Sequence, residues 1–284
     1  MKIRQGTPAD AAACGRILYD AFKSIGEQHN FPPDFPSVEA ATGVTSMLLS
    51  HPGFYGVVGE QDGRIVGSNF LDERSPIAGI GPISIDPAFM NRTLGRQLMQ
   101  DVMDRAAERG FRGVRLVQIA WHYRSLVLYT KLGFETRETL SALQGAPLGF
   151  RIPGYHVRPA HANDLAACNA LCVRVHGHDR GGDLADAISQ GAAHVVERHG
   201  RITGYATGIG WFHHAVAETN DDLKALVGAA PAIAGPGFLL PSRNGELFRW
   251  CLNHGLRVVA QATLMTTGLY NEPAGGVYLP SILY

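Results

Sequence analysis

The stretch IDPAFMNRTLGRQLMQDVMDRAAERG, residues 85–110, decides how the first half of the chain is read. Ile85-Asp86-Pro87 ends a strand, and Asn91, Thr93 and Gly95 make a turn. A helix is predicted from Leu94 to its stop at Gly110. Leu94, Leu98, Met99, Val102, Met103, Ala106 and Ala107 recur at the spacing of a helix that buries one face. Gly110 stands where a C-cap glycine belongs. A strand that feeds a small-residue turn into a helix N-terminus presents free backbone N–H groups at the positive end of the helix dipole. That suits a phosphate or pyrophosphate. An ordinary strand–turn–helix with a polar turn has the same pattern, so the stretch alone leaves both readings open.

The rest of the composition narrows the class. A chain of 284 residues suits two domains. Its 25 basic and 25 acidic residues give zero formal net charge, and no Lys/Arg run occurs. The electrostatic footprint of a nucleic-acid or anionic-membrane partner is therefore absent, and neither partner is expected. No apolar run is long enough to span a bilayer, and MKIRQGTPAD has no apolar signal core, so a cytoplasmic location is expected. Cys14, Cys168, Cys172 and Cys251 include no CxxC pair and read as buried free thiols of a reducing compartment. His176 and His178 flank Gly177 without carboxylates or cysteines at zinc spacing, so they read as part of a loop and no metal is expected.

Taken in order, Lys2–Gln5 reads as a strand, and Thr7, Pro8 and Asp10 open a helix carrying Ala12, Cys14, Ile17, Leu18, Ala21 and Phe22. FPPDFPS (31–37) must be a loop. Val38–Leu49 is a helix. Phe54–Val58 and Arg64–Leu71 are strands joined by a turn at Gln61-Asp62-Gly63, and Ala78–Asp86 is the next strand. Beyond the central helix come a strand at Gly113–Ala120, a short helix at Ser125–Leu132 closed by Gly133, and a strand at Phe134–Leu143. The fold class is α+β: a mixed, largely antiparallel sheet flanked by helices, with an antiparallel meander followed by parallel pairing where strands and helices alternate.

QGAPLGFRIPG (144–154) breaks the pattern and reads as a linker. The chain beyond it looks like a second copy. IRQGTPADAAAC (3–14) aligns with VRPAHANDLAAC (157–168), pairing Arg4 with Arg158 and Asp10 with Asp164. VGEQDGRIVG (58–67) aligns with VVERHGRITG (195–204), pairing Glu60 with Glu197. HYRSLVLYTKLGF (122–134) aligns with NGELFRWCLNHGL (244–256). The shared order argues for an internal repeat with a first domain at 1–145, a linker at 146–154 and a second domain at 155–284.

Together these residues resemble the GCN5-related N-acetyltransferase (GNAT) superfamily, and the chain resembles its tandem two-domain members. The family's cofactor signature, Gln/Arg-x-x-Gly-x-Gly/Ala, falls on Met90-Asn91-Arg92-Thr93-Leu94-Gly95. Gly95 is kept, while Met90 and Thr93 depart from it. The second signature falls on His122, Tyr129 and Gly133-Phe134, with LYTKLGF (128–134) a close match and His122 in place of Asn.

The resemblance implies acetyl-CoA as co-substrate, with CoA as product. The pyrophosphate would lie on backbone N–H groups of residues 91–96, from Asn91 and Arg92 through Thr93, Leu94 and Gly95 to Arg96. The pantetheine arm would pair against Ile83, Ser84 and Ile85. His122 and Ser125 are carried over as cofactor contacts, and Tyr129 as the acid that protonates the departing thiolate. His122 is equally a proton carrier or a partly buried polar residue. In the second half the span Gly204–Asn244 is shorter than its counterpart Gly67–His122, has no glycine-rich turn, and ends at Cys251 where the first half has Tyr129. This copy is expected to be degenerate and to bind no CoA of its own.

The implied reaction moves an acetyl or small acyl group from CoA to the amine of a small molecule or peptide by direct attack on the thioester. Such an amine must lose a proton, and Asp72 and Glu73 are either bases acting through water or solvated turn charges. A non-catalytic acyl-CoA-binding module is the alternative, and a homodimer is left open. The acceptor pocket is expected among variable loops, at Phe31–Pro36 and in the second domain.

Overall fold

The computed structural model of the chain describes residues 2–31, 34–90 and 93–283. The first half runs β1 (Lys2–Gln5), α1 (Ala11–Gln28), α2 (Val38–Ser50), β2 (Phe54–Gln61), β3 (Arg64–Asp72), β4 (Ala78–Ile80), β5 (Ser84–Ile85), α3 (Leu94–Glu108), β6 (Gly113–Ile119), α4 (Tyr123–Lys131) and β7 (Glu135–Gln144). The second runs β8 (His156–Pro159), α5 (Leu165–His176), α6 (Gly181–Ser189), β9 (His194–Arg198), β10 (Arg201–Ala206), β11 (Ala215–Ala217), α7 (Asn220–Ala229), β12 (Phe238–Pro241), α8 (Gly245–Asn253), β13 (Arg257–Gly268) and β14 (Val277–Leu279).

The two aligned openings have one physical basis. Thr7 N–H donates to Asp10 Oδ2 at 2.8 Å, and Arg4 donates to Asp10 at 2.8 and 2.9 Å and to Glu60 at 2.9 Å. In the second half Arg158 donates to Asp164 at 2.7 and 2.9 Å and to Glu197 at 2.6 and 2.9 Å. Each arginine thus ties the first strand to the capping carboxylate of the helix behind it and to the neighbouring strand. The paired guanidinium holds the Asp10 carboxyl at about 2, below the usual carboxylate range. The repeated letters Arg, Asp and Glu are the same clamp built twice.

The β2–β3 hairpin turns at Asp62 and Gly63, both at positive φ (52° and 76°), as the right-handed twist of two antiparallel strands favours. Gly56 faces Leu49 of α2, while Gly59 and Gly67 face Leu94 of α3, so helices cover both faces of the sheet. The predicted single strand Ala78–Asp86 is two short strands, interrupted at Gly81-Pro82-Ile83, where the Gly81–Pro82 peptide is cis. His178 lies in a loop as read from the sequence, but His176 closes α5; both rings are buried, with the His176 ring 5.0 Å from that of Tyr278. No cluster of metal-ligating side chains occurs among the described residues.

The halves share a sheet. Its order is β1-β2-β3-β4-β6-β13-β7-β12, with β5 on β3, while β14-β11-β10-β9-β8 form a second sheet. β13, from the second half, lies antiparallel between β6 and β7 of the first, in register from Ala262↔Ile119 to Gly268↔Gly113 on one side. β7 in turn lies between β13 and β12. The second half thus places β13 between two strands of the first, and the first half places its last strand, β7, between two strands of the second. Arg74 adds an ionic tie across the halves, 2.6 Å from Asp72, 2.8 Å from Asp186 and 3.3 Å from Asp183.

Two outcomes are expected. Residues 1–154 alone leave β6 and β7 without the strand between them and should aggregate, while co-expression with 155–284 should give a soluble one-to-one complex. A soluble, cooperatively unfolding 1–154 monomer, checked by size exclusion and thermal melting, would contradict the shared sheet. Thr93, at the N-cap of α3, sits at φ +65°, a left-handed conformation costly for a β-branched residue. Thr93→Gly should stabilise the protein by about 0.5–1 kcal/mol in denaturant titration, the left-handed penalty less the entropy of glycine.

Candidate active site

β4 runs parallel to β6 at Ala78↔Val114 and Gly79↔Arg115, and there the pairing stops. Beyond Ile80, β5 hydrogen-bonds only to β3, while residues 116–119 of β6 keep β13 on one edge and pair with no described strand on the edge that faced β4. The strands splay, leaving a V-shaped opening with one free edge of β5 inside it. Gly95 at the start of α3 and Ser125, Leu128 and Tyr129 of α4 close one face of this pocket. A Cβ on Gly95 would stand 3.0 Å from Ile85 Cδ1, so the glycine lets the helix N-terminus approach the free strand edge.

The sequence-predicted residues divide. Ile83, Ser84, Ile85, Met90, Gly95, His122, Ser125 and Tyr129 all line the pocket. Asn91 and Arg92 lie outside the described residues. Thr93 and Arg96 are exposed beside the α3 N-terminus, and the Leu94 side chain is turned into the core against Gly59 and Gly67. Leu94 can thus serve the opening only through its backbone. The Ser84 hydroxyl is engaged with Ser68 Oγ at 3.2 Å, so Ser84 too is limited to backbone contacts there. Asp72 and Glu73 do not line the pocket: Asp72 pairs with Arg74, and Glu73 with Arg105 at 2.8 Å. Neither is the solvated turn charge read as one alternative: Asp72 ends β3 and is buried, and both carboxylates are shielded in ion pairs.

Around Tyr129 the polar groups form a chain. Its hydroxyl is hydrogen-bonded to Ser125, whose Oγ is 2.6 Å from His122 Nδ1. Burial pushes the Tyr129 phenol up to about 12, despite the Ser125 contact, so it keeps its proton at neutral pH. Burial, with Arg124 and His29 nearby, holds His122 below its ordinary value and favours the neutral ring. A protonated phenol, a hydroxyl and a neutral imidazole in series can pass a proton inward.

Three pocket features were not singled out from sequence. Gln118 is 4 % exposed, and neither its amide nitrogen nor its amide oxygen has a partner among the described residues. An orphaned donor and acceptor beside a free strand edge fit an amide-rich arm such as pantetheine, which offers both. The signal for it was a lone polar residue in the apolar run VRLVQI (114–119). Arg124 lies beside Met90, its Nη1 3.4 Å from the sulfur, at the end of the pocket nearest the α3 N-terminus. Asp34 and Phe35 come from the predicted 31–37 loop.

The second half has the same layout with its opening closed. β14 has no counterpart in the first half. It pairs antiparallel with β11, Ala215↔Leu279 to Ala217↔Val277, and lies against β12, filling the gap that β4 and β6 leave open. α7 starts three residues after β11, with no intervening glycine-rich turn. Thr219 caps it in a reciprocal box with the fully buried Asp222, which accepts from Thr219 N–H at 3.0 Å and Oγ1 at 2.6 Å. A carboxylate already stands at the positive end of this helix, where a phosphate would otherwise go. Cys251 is fully buried, and burial pushes its thiol up to about 12, so it is inert core.

The family model described as Acetyltransferase (GNAT) family matches residues 17–134. A crystal structure of a putative acetyltransferase from Pyrococcus horikoshii is similar at a TM-score of 0.76 and 17% identity, covering 98% of this chain and 92% of that one. A GCN5-related N-acetyltransferase from Sphaerobacter thermophilus is similar at a TM-score of 0.61 and 17% identity, covering 96% and 98%. At such identity the likeness speaks for the fold across both halves. No curated protein matches the chain in sequence. The match to the GNAT acetyltransferase family thus lies in the first half of the chain, and both halves together share the fold of these two structures.

Proposed function

We propose that the protein is an N-acetyltransferase that moves an acetyl or small acyl group from CoA to an amine, with one active site per chain, in the first half. The observation that carries this is the splayed β5/β6 opening with Tyr129, Ser125 and His122 on one wall and the α3 N-terminus at its end. In this reading the free edge of Ile83–Ile85 and the Gln118 amide bind the pantetheine arm, and the backbone at the start of α3, with Arg124, takes the pyrophosphate. Bound acetyl-CoA supplies an activated thioester. Tyr129 holds a proton at its hydroxyl for the departing sulfur, and Ser125 and His122 restore it from solvent. The apolar walls exclude water that would compete with the amine. No helix among the described residues is long and apolar enough to cross a membrane. The four buried free cysteines support the cytoplasmic location read from the sequence.

The strained Thr93 favours a second reading, a module that binds acyl-CoA without turning it over. Thiol release from acetyl-CoA across an amine panel separates the two. Turnover by the wild type supports the transferase, and CoA binding without thiol release from any amine supports the module.

Calorimetry should give one CoA per chain, since β14 and Asp222 occupy the second half's counterpart site; two equivalent sites would refute this. Tyr129→Phe keeps the ring and should leave CoA affinity nearly unchanged, while turnover falls at least about tenfold, the low end for a general acid. Turnover equal to wild type would leave Tyr129 a packing residue only.

A further inference from the structure

The pocket does not end at the cofactor opening. It is also lined by Phe22 and Ile25 of α1 and by a wall from the second half made by Trp211, Phe212, Ile282 and Leu283. That wall is fixed by backbone bonds: Ile282 N–H donates to Trp211 O at 2.9 Å, and Trp211 N–H donates to Ala234 O at 3.0 Å. Phe35 lies with its ring edge-on to Phe22, centroids 6.0 Å apart, in an apolar cluster that Phe212 joins. The second half thus supplies one apolar wall of a site whose cofactor opening lies in the first.

The pocket is lined by charge of both signs. Arg124 and the α3 N-terminus mark the end assigned to phosphate. Asp34 is the one carboxylate lining the pocket, and no hydrogen bond or ion pair is assigned to it among the described residues. Burial alone pushes its carboxyl up to about 6, with no basic group offsetting the shift. A half-buried carboxylate without a counter-charge is costly, and an ammonium arriving with a ligand removes the cost.

We infer that the acceptor is a primary amine on a compact apolar, aromatic-sized body, its ammonium received by Asp34 and its body packed against Trp211, Phe212 and Ile282. This rests on the transferase reading for its chemistry but not for its binding. A polyamine would bring further cations into a pocket with one carboxylate to meet them. A peptide N-terminus would bring backbone polar groups that the apolar wall does not satisfy.

The test uses the full chain with 2-phenylethylamine, spermidine and an alanyl peptide as probes. Binding is read from the fluorescence of Trp121 and Trp211, which line the pocket, and turnover from thiol release with acetyl-CoA. 2-Phenylethylamine should bind and be acetylated in preference to the other two. Asp34→Asn, on a loop and outside the core, should weaken its binding and raise its KM about tenfold or more, while kcat at saturation changes much less. Trp211→Ala should reduce the preference for 2-phenylethylamine. A tenfold preference for spermidine or the peptide, or an Asp34→Asn protein with wild-type binding and KM, would overturn the inference. The two readings can fail separately. Aspartate-dependent binding of 2-phenylethylamine without thiol release keeps this inference and removes the transferase; acetylation of spermidine alone does the reverse.

Discussion

The structure depends on one pairing. β13 must lie between β6 and β7, because each of those strands has an unpaired ladder edge that only β13 satisfies, and β7 must in turn lie between β13 and β12. Unpaired ladder groups in a buried sheet are costly, so the halves cannot separate without exposing edges on both. This fixes the second half against the first at one register. It also brings the 210–212 segment and the C-terminal residues to the mouth of the first half's pocket. The second copy retains its fold although its own opening is closed, because its strands complete the other sheet.

The two halves show how one architecture is kept open or filled. In both, the strand after the meander parts from the next one in the sheet. In the first half the gap faces a helix N-terminus that starts after a long turn, with a glycine in the first turn. In the second, β14 hydrogen-bonds into the gap, the turn is gone, and Asp222 neutralises the helix end. A strand edge and a helix N-terminus both need partners. The chain supplies them from its own residues in one half and leaves them to a ligand in the other. Thr93 is the exception within the open half, since it holds a conformation that glycine adopts without strain.

The electrostatics of the pocket arise from the same geometry. Burial acts on three groups in different directions: it raises Tyr129 and Asp34 and lowers His122, in each case favouring the neutral form. A neutral imidazole and a protonated phenol joined by Ser125 suit delivery of a proton. A carboxylate without a cation suits receipt of a positive ligand.

The sequence by itself determined the elements that depend on local chemistry. The Thr7 and Asp10 cap, the Asp62-Gly63 turn, the one-faced helix from Leu94 and the LYTKLGF helix ending at Gly133 are each set by residues within a few positions of one another, and each is found. The repeated Arg, Asp and Glu positions were legible because the same clamp requires the same residue types twice. Tyr129, Ser125 and His122 were legible because one short helix and its cap carry all three. Tertiary structure alone decided the rest. No local pattern says that β13 pairs with β6, since pairing partners in a sheet are chosen by edges and register across the whole chain. Nor could spacing show that β14 fills the second opening, that Gln118 faces the pocket with its amide unpaired, or that Asp34 lines the same pocket as Trp211 and Ile282. Those residues are distant in sequence, and only the exchange of strands between the halves puts them around one cavity.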